Sequence, residues 1–134
     1  MSNKVKILCV DDEELGLRIR QLTLELQGYE VTTASDGSGA IAAFAEHPFD
    51  LVILDYSMPG RNGGEIAAEM RRNRPEVPII LLSAYVALPQ EDIDGVNLFL
   101  TKADTPAKFL GHVSRVLQAK ESAMERLHGR IQPQ

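Results

Sequence analysis

The sequence has little of what marks secreted, membrane-bound or nucleic-acid-binding proteins. Its 134 residues include one cysteine, Cys9, which excludes an internal disulfide framework and fits a reducing compartment such as the cytoplasm. No apolar stretch is long enough to span a membrane, and the N-terminal MSNKVK leads straight into a strand-like run rather than a signal peptide. Basic residues number 14 against 19 acidic ones, for a net charge of −5, which argues against nucleic acid as a direct partner.

What the sequence does contain is an alternation of short apolar runs and helical segments. Five runs rich in Val, Ile and Leu occupy residues 5–10, 30–34, 51–54, 77–82 and 97–101. Continuous runs of this length are typical of strands buried on both faces, as in a parallel sheet. The alternation predicts an α/β fold with a doubly wound, five-stranded parallel sheet in the flavodoxin-like order 2-1-3-4-5 and helices on both faces.

The first helix is predicted over residues 15–27, and Gly28 follows it as a stop signal. Its apolar residues recur at helical spacing and are Leu15, Ile19, Leu22 and Leu26.

The later helices are indicated by their end signals. Residues 39–46 and 64–73 are helical in pattern, and a last helix is capped by Thr105 and starts at Pro106. The segment VALPQEDIDGV, residues 86–96, contains a proline and a glycine that leave room for one or two turns at most. We therefore expect a short or irregular fourth helix.

Polar side chains follow the predicted strands at the edge where parallel strands have their carboxyl ends. Strand 1 leads into Asp11 and Asp12, strand 3 into Asp55, strand 4 into Ser83 and strand 5 into Lys102. In this strand order, ligands bind beyond the carboxyl ends of strands 1 and 3. The fold should thus bring three carboxylates, a hydroxyl and an ammonium together.

The chemistry of this set points to phosphoryl transfer. Clustered carboxylates repel one another and call for a cation, and all-oxygen ligands suit Mg²⁺. Lys102 can offset the remaining charge and reach a phosphoryl oxygen. An accessible carboxylate, Asp55, then serves as the nucleophile. Any one of these residues alone would more commonly be a solvated strand-end residue, so the inference depends on their joint arrival from four elements.

Residues 4–120 resemble the receiver domain of two-component response regulators, the chemotaxis-regulator type. The motifs that carry the resemblance are ILCVDDEE, LVILDYSMPGRNGGE, IILLSAY and LFLTK, in this order. The resemblance implies a phosphoacceptor signalling domain that catalyses only its own phosphotransfer and dephosphorylation. The implied phosphodonor is a sensor histidine kinase or a phosphotransfer protein.

The resemblance also implies roles for the residues of the acceptor site. Asp55 would accept the phosphoryl group, and Lys102 would pair first with Asp55 and then with that group. Asp12, Asp55 and the backbone carbonyl of Ser57 would bind Mg²⁺, while Asp11 would act through metal-bound water.

Further residues are implied in switching and in the lifetime of the phosphorylated state. Ser83 would shift to hydrogen-bond the phosphoryl group, and Phe99 would turn inward as it does so. Ser57 and Tyr85 would tune how long the phosphoryl group lasts. Each has a simpler interpretation, since Phe99 also fits a core aromatic, Ser57 a turn residue and Tyr85 a partly exposed loop residue.

Two features depart from the family pattern. Ala103 follows Lys102 where the family usually has proline, often with a cis bond, so this loop is expected to be trans and differently shaped. In this family, helix 4, strand 5 and helix 5 often form the face used for dimerisation and output. Because helix 4 is expected to be short here, the use of that face is in doubt.

The C-terminal part allows two arrangements. We expect a receiver domain over 1–127 and a disordered tail over 128–134. The signal would pass on through contact with a downstream protein, unless the sequence is part of a longer regulator. A heptad spacing in the last helix would allow a homodimer seam, although an ordinary amphipathic helix explains it as well; its members are Leu110, Leu117, Met124 and Ile131.

Three other classes of protein share part of this pattern. A haloacid-dehalogenase-type phosphatase would need a second acid where Ser57 stands. A flavodoxin would need a hydroxyl- and glycine-rich phosphate loop in place of DDEE. A degenerate receiver used only for interaction is disfavoured because the full acceptor set is present, but the missing proline and the weak fourth helix leave it open.

Overall fold

The computed structural model describes residues 4–85 and 87–131, with side chains up to residue 127. Five strands alternate with five helices in it. The strands are β1 (Lys6–Val10), β2 (Glu30–Ala34), β3 (Leu51–Asp55), β4 (Ile79–Ser83) and β5 (Leu98–Thr101). The helices are α1 (Glu14–Glu25), α2 (Gly37–Glu46), α3 (Gly63–Asn73), α4 (Gln90–Ile93) and α5 (Pro106–Ile131).

The strands form one parallel sheet in the order β2-β1-β3-β4-β5, which confirms the predicted topology. β3 is central, and all five of its residues are buried. β1 lies on one side of it, with Val10 opposite Leu54, and β4 lies on the other, with Leu82 opposite Asp55. The carboxyl ends of β1 and β3 therefore lie side by side.

Each face of the sheet is covered by its own apolar core. One core contains Phe44 of α2 and Met70 of α3, with Ile93 of α4 packed against it. The other contains Leu24 of α1 and Phe109 of α5, together with Cys9. Cys9 has no exposed surface, as expected for a small buried hydrophobe, and burial raises the pKa of its thiol to about 11.

The apolar residues that predict α1 lie on its outer surface. An apolar stripe normally marks the buried side of a helix. Here Leu24 is fully buried and Leu17 is 8% exposed, and these two residues form the face that packs on the sheet. The outward set, which we call the α1 stripe, is 47–84% exposed and consists of Leu15, Ile19, Leu22 and Leu26.

The short α4 agrees with the sequence prediction, since it comprises a single turn. It approaches α3 so closely that a Cβ added to Gly64 would lie 2.6 Å from the backbone oxygen of Asp92. The hydroxyl of Tyr56 donates a hydrogen bond of 2.6 Å to Asp92 Oδ2. A glycine in α3 and a tyrosine after β3 thus fix α4 against the rest of the domain.

The ends of α5 show one confirmed prediction and one extension. Thr105 Oγ1 accepts a hydrogen bond of 3.2 Å from the Lys108 backbone N–H, so the predicted N-cap is present. The helix continues to Ile131, four residues beyond the predicted domain end at 127, while residues 132–134 of the predicted tail lie outside the described residues.

Within residues 4–85 and 87–131 there is no cis peptide bond, so the Lys102–Ala103 bond is trans, as the missing proline predicted. No helix in the same ranges combines the length and apolar character needed to cross a membrane.

Candidate functional site

Four predicted site residues meet at the carboxyl edge of the sheet. Asp11 and Asp12 follow β1, Asp55 ends β3, and Lys102 follows β5. β4 joins the ends of β3 and β5, because Tyr56 N–H donates to Leu82 O and Lys102 N–H donates to Ser83 O, both at 2.8 Å. Asp11 has no exposed surface, whereas Asp12 is exposed. Asp55 is 2% exposed, so the expectation of an accessible acceptor carboxylate is wrong, because Asp55 is the last residue of the buried central strand. The parallel arrangement of the strands thus places two buried carboxylates and one exposed carboxylate at one point.

Lys102 connects the two buried carboxylates. Its Nζ lies 2.9 Å from Asp55 Oδ1 and 3.2 Å from Asp11 Oδ2. Burial alone would lower the pKa of Lys102, but the neighbouring Asp55 and Asp11 outweigh it and raise that pKa. Lys102 is therefore a permanent cation in this site.

Asp11 has more donors than the other two carboxylates. Its Oδ1 accepts a hydrogen bond of 2.9 Å from the Glu13 backbone N–H. Its Oδ2 accepts from Arg20 Nη2 of α1 as well as from Lys102. Burial alone would raise the pKa of Asp11, but the Glu13 N–H, Arg20 and Lys102 together hold it below its ordinary value.

Asp55 is in the opposite electrostatic situation. Burial raises the pKa of its carboxyl above the ordinary value and the charge of Asp11 adds to the rise, while Lys102 opposes it. Asp55 Oδ1 is buried and makes no hydrogen bond within the described residues, although it forms the ion pair with Lys102. This oxygen therefore retains capacity for a further electrophile or cation.

The three carboxylates fit a divalent cation. One oxygen from each of Asp11, Asp12 and Asp55 lies within 4.8 Å of the others. An all-oxygen donor set with one exposed member suits Mg²⁺, which keeps several of its waters when bound. The Asp55 oxygen without a hydrogen bond agrees with that use.

The remaining predicted residues lie around this set, and Ser83 is joined to it by a backbone hydrogen bond of 2.8 Å from Lys102 N–H to Ser83 O. Ser83 is buried at the end of β4, and its Oγ accepts a hydrogen bond of 2.9 Å from the Tyr85 backbone N–H. Phe99 is partly buried on β5 opposite Leu81. Ser57 is exposed, and Tyr85 is 61% exposed.

Two contacts were not predicted from the sequence. The contact of Arg20 with Asp11 could have been inferred from helical spacing. Arg20 lies three residues after Leu17 and four before Leu24, so it belongs to the buried face of α1. The hydrogen bond from Tyr56 to Asp92 joins residues that are 36 positions apart. It has no local sequence signal.

Comparison with known families gives one match over most of the chain. The family model described as "Response regulator receiver domain" matches residues 7–114. A transcriptional regulatory protein of Bacillus subtilis, YkoG, is 35% identical over 126 residues, covering 91% of this chain and 55% of its own length. The alkaline phosphatase synthesis transcriptional regulatory protein PhoP of the same organism is 34% identical over 125 residues, covering 88% of this chain and 50% of its own length. The chain thus spans about half the length of the curated relatives it matches.

Solved structures show the same likeness in three dimensions. The receiver domain protein (CheY-like) of Methanospirillum hungatei has a TM-score of 0.85 and 25% identity, covering 90% of this chain and 99% of its own. The response regulator TrrA of Thermotoga maritima, in complex with Mg²⁺ and BeF, has a TM-score of 0.79 and 33% identity, covering 83% of this chain and 97% of its own.

Proposed function

This chain belongs to the response regulator receiver domain family, and on that premise we propose that Asp55 accepts a phosphoryl group from the phosphohistidine of a partner protein in the presence of Mg²⁺. The observation that carries the proposal is the placement of Asp55. It lies at the carboxyl end of β3, 2.9 Å from Lys102 and beside two other carboxylates. A buried acid in such surroundings is a candidate for covalent chemistry rather than for stabilising the fold.

The transfer itself exchanges one bond for another. An Asp55 oxygen bonds to phosphorus, the phosphorus–nitrogen bond to the donor imidazole breaks, and the imidazole nitrogen keeps the electron pair. Lys102 orients Asp55 beforehand and then pairs with a phosphoryl oxygen. Asp11, Asp12, Asp55 and the Ser57 carbonyl would hold Mg²⁺, which supplies positive charge against the phosphoryl oxygens.

Phosphorylation would change the hydrogen bonding of Ser83. The Ser83 hydroxyl now accepts from Tyr85 N–H, and in the phosphorylated state we propose that it donates to the phosphoryl group instead. As Ser83 shifts, Phe99 on the edge strand β5 would turn inward. A new charge would thus shift a population between two arrangements.

Ser57 and Tyr85 have positions suited to controlling hydrolysis. Both are exposed and each lies two residues beyond an acceptor-site residue, Asp55 or Ser83. Their side chains could govern access of water to the phosphorylated Asp55. We assign them to the lifetime of the phosphorylated state.

The α1 stripe is our candidate surface for the phosphodonor protein. Ile19 lines a cleft together with Arg20, Lys102 and Thr101, so the stripe borders the acceptor site. Leu15 and Leu26 are 70% and 84% exposed, which leaves an apolar surface for a helix of the partner. A sensor histidine kinase or phosphotransfer protein docked there would bring its phosphohistidine towards Asp55.

The downstream partner is proposed to be a protein. The net charge of −5 does not favour direct binding of nucleic acid by this domain. Relatives named as transcriptional regulators are about twice as long as the region they share with this chain. A homodimer through α5 is one way in which the switch could be transmitted.

Intact mass after incubation with Mg²⁺ and acetyl phosphate tests the proposal. We expect one added phosphoryl group on the native chain and none on Asp55→Asn. Asp50→Asn is the matched control, because Asp50 directly precedes the same strand at its opposite end. An unmodified native chain, or an adduct that persists in Asp55→Asn, would overturn the proposal.

A further inference from the structure

Arg20 is a cation built into the acidic site from the buried face of α1. Its Nη2 donates to Asp11 Oδ2, and its side chain is 17% exposed. Its Nε is buried and has no hydrogen-bond partner within the described residues. The guanidinium is therefore directed at the carboxylate rather than at solvent, and it leaves a buried donor unsatisfied in doing so.

The contact changes the charge balance of the site. Three carboxylates and Lys102 alone would carry a net charge of about −2, which favours a divalent cation. Arg20 reduces the net charge to about −1 and occupies the same Asp11 oxygen that Lys102 contacts at 3.2 Å. Because Asp11 Oδ1 already accepts from Glu13 N–H, both Asp11 oxygens have donors before any metal binds.

We propose that Arg20 is a positioning residue that holds Asp11 when no metal is bound and competes with Mg²⁺ for the site. This proposal rests on the proposed function, in which the same carboxylates bind Mg²⁺. Arg20 stabilises the metal-free acidic cluster, at the cost of weaker Mg²⁺ binding. The Mg²⁺ concentration that half-saturates the site would then be higher than in a domain without Arg20, because Mg²⁺ must displace the guanidinium from Asp11.

The test is a Mg²⁺ titration followed by amide chemical shifts, with no phosphodonor present. Arg20→Met should bind Mg²⁺ at least about tenfold more tightly than the native chain, which is the effect of removing one opposite charge beside a carboxylate. Arg20→Lys, which keeps the charge, should stay near the native affinity. Arg72→Met is the control, because it makes the same change in net charge at an exposed position near the end of α3.

Arg20→Gln keeps a hydrogen-bond donor without the charge and carries the test if Arg20→Met does not fold. It too should bind Mg²⁺ more tightly than the native chain. Native affinity, or weaker binding, in both neutral variants would overturn the role of Arg20 while leaving the proposed function intact. A titration in which neither the native chain nor any variant binds Mg²⁺ would overturn both.

Discussion

Lys102 Nζ lies 2.9 Å from Asp55 Oδ1, an ion pair that joins the end of β5 to the end of β3 with the carboxylate almost fully buried. The pair does not cancel the effect of burial, because the pKa of Asp55 is still raised. The fold therefore disfavours the charged form of the Asp55 carboxyl, even beside Lys102. An acceptor with this property is destabilising until a cation or a phosphoryl group changes its surroundings.

The first prediction is that Asp55→Asn stabilises the metal-free domain. Because the pKa of Asp55 is higher in the folded state than in the unfolded state, the folded state holds the proton more tightly. The free energy of unfolding therefore falls as pH rises from the unfolded pKa through the folded pKa. Asparagine has no such loss, so in EDTA at pH 7 the variant should gain about 1–2 kcal/mol in free energy of unfolding. The gain should shrink as pH falls and vanish at about pH 3, which lies below the unfolded pKa of about 3.9, so that Asp55 is protonated in both states. Urea unfolding at several pH values measures it.

Asp11→Asn should behave in the opposite way. The pKa of Asp11 is lowered in the fold, so its contribution is present above the unfolded pKa and is lost as pH falls through the folded pKa. Removing its charge leaves Arg20 and Lys102 without their shared partner and should cost about 3 kcal/mol at pH 7. If Asp11→Asn and Asp55→Asn changed stability in the same direction, the electrostatic description of the site would be wrong.

A pair of glycine substitutions tests the packing of α4. Gly64→Ala would bring a Cβ within 2.6 Å of the Asp92 backbone, so α4 must move and the Tyr56–Asp92 hydrogen bond is disturbed. We expect a loss of about 1–3 kcal/mol in urea unfolding. A Cβ added at Gly111 in α5 would have no neighbour within 4 Å among the described residues, so Gly111→Ala should gain about 0.5–1 kcal/mol from helix propensity. Equal effects of the two substitutions would argue against this close approach.

Replacing Leu15, Ile19 and Leu22 together by Gln tests the α1 stripe. Transfer from a phosphorylated histidine kinase that serves the native chain should slow at least about tenfold, because losing 1.4 kcal/mol of apolar docking energy suffices for that. Phosphorylation by acetyl phosphate should be unchanged, since the acceptor site itself is intact. A variant that slows equally with both donors would place the defect in the site and not in docking.

The stability of this triple variant, compared with that of Leu24→Ala, checks the orientation of α1. The three replaced side chains are 47–70% exposed, so their substitution should change the free energy of unfolding by about 0.5 kcal/mol or less per site. Leu24→Ala, on the buried face, should cost about 2–5 kcal/mol. The reverse order would mean that α1 packs on the sheet through its stripe.

The sequence predicted the sheet and the meeting of Asp11, Asp55 and Lys102, because parallel strands necessarily bring their carboxyl ends to one edge. Short runs of apolar residues were enough to place all five strands. The single turn of α4 was also predictable, since Pro89 and Gly95 limit the helix on both sides.

Periodicity could not tell which side of α1 faces the sheet. Periodicity shows only where apolar residues recur along the helix. The α1 stripe has four members at helical spacing, whereas the buried face of α1 has the two leucines Leu17 and Leu24. The side that packs is built on Leu17 and Leu24 with Arg20 between them, whose contact with Asp11 depends on the tertiary fold. The partnership of Tyr56 with Asp92 was beyond prediction for the same reason.

The most direct test of the central claim is to identify the phosphorylated residue. After phosphorylation with acetyl phosphate and Mg²⁺, borohydride reduces an aspartyl phosphate to homoserine, which peptide mass mapping can locate. We predict homoserine at position 55 and at no other aspartate, and its absence when Mg²⁺ is replaced by EDTA. Homoserine at position 11 or 12, or an unreduced chain after full treatment, would contradict the assignment of Asp55 as the acceptor.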